Sequence, residues 1–132
     1  MVAKKVEDLV AFQLAVEFKR EVYRLLSACG KPIDFKYRSQ ISDATSAVEA
    51  DLSEGFARDV PGEFAQFIRY GRASLAEARQ RLRDGIDRGY FSEADCREAL
   101  SLGRRCADCL RKLFQSLEPF LSRPRVRPQR RR

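Results

Sequence analysis

The sequence predicts an all-α protein, folded as an antiparallel up-down-up-down four-helix bundle. Apolar residues recur at spacings of three and four in four successive blocks of the 132-residue chain, which is the periodicity of an amphipathic helix. No block alternates apolar and polar residues as a half-buried strand does. The connections between the blocks are short, and short connections between long helices favour antiparallel neighbours.

The first two blocks are each followed by a glycine. Gly30 and Pro32 end the first block. The second ends near Gly55, where a glycine is expected to adopt the left-handed conformation that closes many helices. The core positions expected in these blocks are Leu9, Phe12, Val16, Tyr23, Leu26, Tyr37, Ile41, Ala44, Val48 and Leu52.

The last two blocks carry clearer start and stop signals. Asp59 is expected to cap the third helix, which begins near Pro61. Ser92 and Asp95 resemble a capping box before the fourth, and Pro119 ends it. The core positions expected here are Phe64, Phe67, Ile68, Gly71, Leu75, Ala78, Leu82, Ile86, Cys96, Leu100, Gly103, Cys106, Ala107, Leu110, Leu113, Phe114 and Leu117.

Positive charge is concentrated at the carboxyl end of the chain. The formal net charge is +7, from 26 basic and 19 acidic residues, and residues 122–132 hold six arginines and no acid. Without them, 20 basic residues face 19 acidic ones, so the body is nearly neutral. We therefore expect a bundle domain over residues 1–121 and a disordered arginine-rich tail over 122–132.

Arginines are the side chains expected to bind a ligand, and a nucleic-acid backbone is the ligand expected, because phosphate neutralisation releases counterions. The tail has no aromatic residue, so base stacking is not expected there. Low sequence specificity is expected. RNA and DNA are not distinguished. A solvated face on the third helix and a merely solubilising tail remain the alternatives. The candidate binding residues are Arg69, Arg72, Arg79, Arg83, Arg123, Arg125, Arg127, Arg130, Arg131 and Arg132.

Two helices have more apolar or small-residue surface than one stripe requires. A second apolar stripe on the first helix contains Leu14, Phe18 and Val22, and the second helix has small residues at Ala47 and Ala50. Excess surface of this kind often marks an interface, so these five residues are predicted to mediate self-association. The alternative is that neighbouring side chains cover them within one chain.

The composition argues against an enzyme. The chain contains no histidine, which excludes a Ser-His-Asp triad and the histidine-dependent di-iron bundle. Cys106 and Cys109 are interpreted as small core residues, with a partial metal or thiol site as the alternative. We therefore predict no catalytic residue, no metal and no cofactor. We also predict no membrane segment, because the longest apolar run is short, and a cytoplasmic location.

Several residues in order resemble a known family, the four-helix bundle proteins encoded by intervening sequences in bacterial large-subunit ribosomal RNA genes. The resemblance covers about residues 7–117. It depends on Gln40 within the second helix, on Glu54, Gly55 and Arg58 at its end, and on the segment 71–75 of the third helix.

The resemblance implies a compact bundle that assembles as a ring-like homopentamer, with no known enzymatic reaction. It implies a nucleic-acid role, and a looser likeness to the accessory proteins of diversity-generating retroelements implies a reverse transcriptase as a further partner. The family's arginine pair after Gln40-Ile41 is replaced here by Ser42 and Asp43. We therefore expect the third helix and the tail, and not the second helix, to carry the nucleic-acid surface.

Overall fold

Four α-helices make up most of the described part of the chain. The computed structural model describes residues 3–121, so the predicted tail and its six arginines lie outside the described residues. The helices are α1 (Val10–Ala28), α2 (Phe35–Ala57), α3 (Pro61–Asp87) and α4 (Arg97–Leu117), with 3-10 turns at Val6–Asp8 and Glu118–Phe120. No strand occurs within residues 3–121, which confirms the all-α class. None of the helices in this range has the length and apolar character needed to cross a bilayer.

The helices form a bundle in which each packs against two neighbours: α1 and α3 both contact α2 and α4. Contacts between helix ends give the directions. The Tyr37 hydroxyl, near the start of α2, donates to the carbonyl of Arg81, near the end of α3, at 2.6 Å. The start of α1, at Val10, lies beside Leu113 in the second half of α4. Both pairs are therefore antiparallel, as predicted.

The second apolar stripe of α1 lies in the core of the single chain. Leu14, Phe18 and Val22 are 5%, 1% and 0% exposed, so the prediction that they form an oligomer interface is wrong. The physical reason is that α1 packs against α2 and α4 at once, which requires an apolar arc wider than one stripe. Two residues that were predicted as core positions of the first helix are less buried: Phe12 is half-buried, and Tyr23 is 39% exposed.

The connection between α2 and α3 also differs from the sequence prediction. Gly55 lies inside α2, which continues to Ala57. The residue in the left-handed region is Asp59, with φ of 60°, and Asp tolerates this conformation better than most residues. Val60 precedes the first turn of α3, and no side chain in the described part of the chain caps that helix. The predicted capping role of Asp59 is therefore wrong.

The starts of α2 and α4 also differ from the sequence prediction. The Asp34 side chain, which was not predicted as a cap, accepts a hydrogen bond from the backbone N–H of Tyr37 at 3.0 Å and so caps α2. Ser92 Oγ accepts from the N–H of Asp95 at 3.0 Å, but in the turn that precedes α4. The N-cap of α4 is Cys96, and no side chain among the described residues caps that helix, so the predicted capping box is only half present. The α4 helix ends at Leu117, just before Pro119.

Candidate functional site

A groove between α3 and α4 is lined by arginines from both helices. One depression of about 600 Å³ is bordered by Arg79 and Arg83 of α3 and by Arg97 and Arg104 of α4. A second of about 250 Å³ is bordered by Arg72 and Arg79 of α3 and by Arg111 of α4. Arg79 borders both, so the two depressions are parts of one continuous surface. We call these six residues the arginine groove: Arg72, Arg79, Arg83, Arg97, Arg104 and Arg111.

The helical repeat explains why these arginines face the same groove. Arg97, Arg104 and Arg111 follow one another at intervals of seven residues, and seven residues are close to two turns of helix. They therefore form one row, with steps of about 10.5 Å along α4. Arg72 and Arg79 have the same spacing on α3.

The floor of the groove is built from small and apolar residues. Gly103 of α4 faces the stem of Arg79, and a Cβ at Gly103 would lie 3.2 Å from Arg79 Cγ. Leu75, Leu100 and Ala107 complete the floor. The arginines belong to the two helices that form the walls of the groove, and the other polar side chains of its lining are Glu93, Ser101 and Asp108.

The groove carries an excess of positive charge. Its lining contains two carboxylates, Glu93 and Asp108, against six guanidinium groups. The ion pairs found within residues 3–121 involve other arginines and lysines and none of these six. The Arg72 guanidinium lies 6.0 Å from the centroid of the Phe114 ring. Arginines that form no ion pair within the described residues, all exposed except the half-buried Arg79, are suited to binding an anionic ligand.

The sequence prediction identified half of this surface. Arg72, Arg79 and Arg83 line the groove, while Arg69 is exposed on α3 outside its lining. The three arginines of α4 were not predicted. Their seven-residue spacing was the available signal, and it carries meaning only once α4 is known to lie beside α3. The predicted tail arginines, Arg123 to Arg132, lie outside the described residues.

Two residues on which the family resemblance depends, Glu54 and Arg58, make contacts at the connection between α2 and α3. Arg58 lies 3.1 Å from the Glu54 carboxylate and 3.8 Å from that of Glu63. Its guanidinium also lies 5.2 Å from the centroid of the Phe67 ring. Arg58 thus connects the end of α2 to the start of α3, which is a structural role. Gln40 is half-buried on α2.

A third depression, of about 560 Å³, lies between α1 and α2 and contains the two small residues predicted at an interface. Ala50 is exposed and Ala47 is half-buried. Asp43 and Glu49 also line this depression, and Glu49 forms an ion pair with Lys19 of α1. Because the helices follow one another around the bundle, this surface lies on the side opposite the arginine groove.

The cysteines do not form a metal centre in the part of the chain that is described. No group of three or more potential ligands converges within residues 3–121. Cys96 and Cys106 are 0% exposed, as expected for core residues. Burial raises the pKa of the Cys96 thiol to about 11 and that of Cys106 to about 12, which makes both thiols poor nucleophiles at neutral pH.

A comparison with protein families finds a match over most of the chain. The profile of a family described as 23S rRNA-intervening sequence protein matches residues 7–112. The match covers all of α1, α2 and α3 and most of α4, and so includes every residue of the arginine groove. No curated protein matches the chain.

Proposed function

The chain belongs to the 23S rRNA-intervening sequence protein family, and on that premise we propose that it is a non-catalytic protein that binds nucleic acid through arginines. The observation that carries the proposal is the arginine groove, where six guanidinium groups from two helices face one surface with no carboxylate in an ion pair with them within residues 3–121. Such a surface favours a phosphate backbone over a neutral ligand.

The proposal excludes a surface on α2, the helix in which this chain lacks the arginine pair of the resemblance. Asp43 is exposed there, and Glu49 is half-buried and paired with Lys19. The proposed binding surface therefore comprises the arginine groove, Arg69 beside it, and the tail arginines. Binding through phosphate contacts is expected to show little preference for nucleotide sequence.

The experiment is a binding titration with the full chain. Fluorescence anisotropy with a labelled RNA and a DNA of the same sequence is measured at low and high salt. We expect the affinity to fall steeply as salt rises, because each phosphate contact releases counterions. A variant without residues 122–132 measures the contribution of the tail. If the full chain shows no salt-sensitive binding to either nucleic acid, the proposal is wrong.

Self-association is a second part of the proposal, and the depression between α1 and α2 supports it. Small side chains at Ala47 and Ala50 let another backbone approach closely, and the surface they border is partly apolar. We propose that copies of the chain meet there and assemble as a ring-like homopentamer. A structural oligomer or protein-binding adaptor without a nucleic-acid ligand is the competing function, and this surface alone would favour it.

Light scattering tests the assembly. A pentamer would have a mass of about five times the 15.2 kDa of one chain. The variant Ala50→Arg places a long charged side chain at an exposed helix position, so it should fold but lose the higher mass. Ser27→Arg, exposed at the end of α1, is the matched control. A monomer mass for the unmodified chain would rule out the assembly.

A further inference from the structure

The two rows of the arginine groove face each other in register. Since α3 and α4 are antiparallel, Arg83 stands opposite Arg97 in the first depression, and Arg72 stands opposite Arg111 in the second. Arg79 lies between them and borders both depressions. The row on α4 extends over 14 residues, or about 21 Å. The groove is therefore a long trough with guanidinium groups on both walls.

The width of the trough limits what can enter it. The axes of packed helices are about 8–10 Å apart, and the floor between them is closed by side chains such as Leu75 and Leu100. The major groove of B-DNA alone is about 12 Å wide, so a whole duplex is too wide to lie inside. One phosphate chain can lie between the two walls and contact both.

The lining of the trough offers little for reading bases. Among residues 3–121, no aromatic side chain lines the two depressions. The Phe114 ring, 6.0 Å from the Arg72 guanidinium, is half-buried. Proteins that bind single strands without sequence preference combine a cationic groove with aromatic side chains that stack the bases. The arginine groove has the first of these two parts, so the contacts it offers are to the backbone.

We infer that the arginine groove holds a single strand of RNA or DNA by its phosphates, with the bases turned outward. This inference rests on the proposed nucleic-acid function and assigns it to one surface and one class of ligand. A helical strand advances about 3.4 Å along its axis per phosphate, so the 21 Å row spans at most about six phosphates, and fewer in an extended strand. The footprint on one chain is thus about six nucleotides or less.

The test compares single-stranded and duplex ligands on the full chain. A labelled 20-nucleotide RNA without self-complementarity is titrated alone and after annealing to its complement. We expect the single strand to bind at least about tenfold tighter, because a free strand can follow the trough along its length, whereas a duplex is too wide to enter and can bring only part of one backbone to the arginines. Equal or tighter binding of the duplex would overturn the inference.

Matched variants then assign the binding to the groove. The triple variant Arg97→Gln, Arg104→Gln, Arg111→Gln removes one wall, and for a single strand the slope of log affinity against log salt should become shallower by about 2, since each lost contact contributes about 0.7. Replacing the same three arginines by lysine keeps the charges and should retain most of the binding. The control Arg38→Gln, Arg105→Gln, Lys112→Gln removes the same charge at exposed positions that do not line the groove.

The outcomes separate the two claims. If the unmodified chain binds no nucleic acid, the proposed function itself fails. If the chain binds but the groove variant and the control weaken binding equally, the nucleic-acid function stands and the groove assignment is wrong. If the groove variant changes the mass measured by light scattering while its circular dichroism spectrum is unchanged, the groove is a contact between copies, and the inference is likewise overturned.

Discussion

Gly55 of α2 lies so close to Phe67 of α3 that position 55 has no room for a side chain. A Cβ there would be 2.5 Å from Phe67 Cβ and 3.1 Å from Phe64 Cδ1. The same Phe67 ring carries the Arg58 guanidinium on its face. The Glu54, Gly55 and Arg58 residues of the resemblance are therefore explained by packing, because they bring the end of α2 and the start of α3 together.

The substitution Gly55→Ala should destabilise the protein, although alanine is intrinsically the better helix former. The added methyl group collides with the Cβ of Phe67, so the two helices must move apart, and overpacking of this kind costs about 1–3 kcal/mol. Urea denaturation measures the change in the free energy of unfolding.

Gly71→Ala is the matched control at the same helix pair. Its Cβ would meet Val48 O at 3.7 Å and Asp51 Cβ at 3.8 Å, which are ordinary contacts. This variant should be stabilised by up to about 1 kcal/mol through helix propensity. If both variants shifted the midpoint in the same direction, the steric explanation for Gly55 would be wrong.

The role of Gly55 could not be predicted from local sequence signals. A glycine near the end of an apolar period is typical of a helix terminus, and the sequence was interpreted that way. The structure instead uses Gly55 for a close approach to Phe67, which is 12 residues away in the sequence. Local signals predicted the four helices and most of their core residues because periodicity is a local property. A contact between two helices is not local.

The arginine groove could likewise be predicted only in part from the sequence. Arg72, Arg79 and Arg83 could be proposed from one helix alone, because they lie on one face of it. Arg97 and Arg104 join them only because α4 lies beside α3 and runs in the opposite direction. Likewise, the sequence shows that the apolar arc of α1 is wider than one stripe. The packing of α1 against both α2 and α4 explains that width.

Thr45 leads to a prediction about a buried hydroxyl. The residue is 2% exposed, and its Oγ1 has no hydrogen-bond partner within the described residues. A buried polar group without a partner costs about 1–3 kcal/mol. Thr45→Val keeps the shape and removes the hydroxyl, so it should stabilise the protein by about 1 kcal/mol. Thr45→Ala also leaves a cavity and should be less stable than Thr45→Val by thermal denaturation. Destabilisation by valine would show that the hydroxyl has a partner.

Asp51 on α2 gives a prediction about pH. Burial raises the pKa of this carboxyl, and the nearby charge of Glu54 raises it further. The folded state therefore holds the proton more tightly than the unfolded state, and stability falls as pH rises through the raised pKa. Asp51→Asn removes this loss and should raise the free energy of unfolding at pH 7. Asp43→Asn, at an exposed position of the same helix, should change stability little. A neutral effect of Asp51→Asn at pH 7 would contradict this explanation.

The buried thiol of Cys106 should make the folded protein less stable in alkaline solution. Burial raises the pKa of its thiol from 9.0 to about 12, so the thiol stays protonated in the folded state after it has ionised in the unfolded chain. The stability contributed by this difference is complete below the unfolded pKa and declines as pH rises toward 12. By about pH 10.5 the loss is about 2 kcal/mol, at about 1.4 kcal/mol per pH unit for one proton.

Urea titrations at pH 8 and about pH 10.5 measure this alkaline loss as a difference in the free energy of unfolding. Cys106→Ala lowers the stability at both pH values because it leaves a cavity, but it should reduce the alkaline loss by about 2 kcal/mol. Cys109→Ala, on the same helix but half-buried, should keep the loss seen in the unmodified chain. Tyr37 and Cys96 also have raised pKa values because of burial, so part of the loss should remain in Cys106→Ala. An alkaline loss that is the same with and without Cys106 would mean that this thiol is not held protonated by the core.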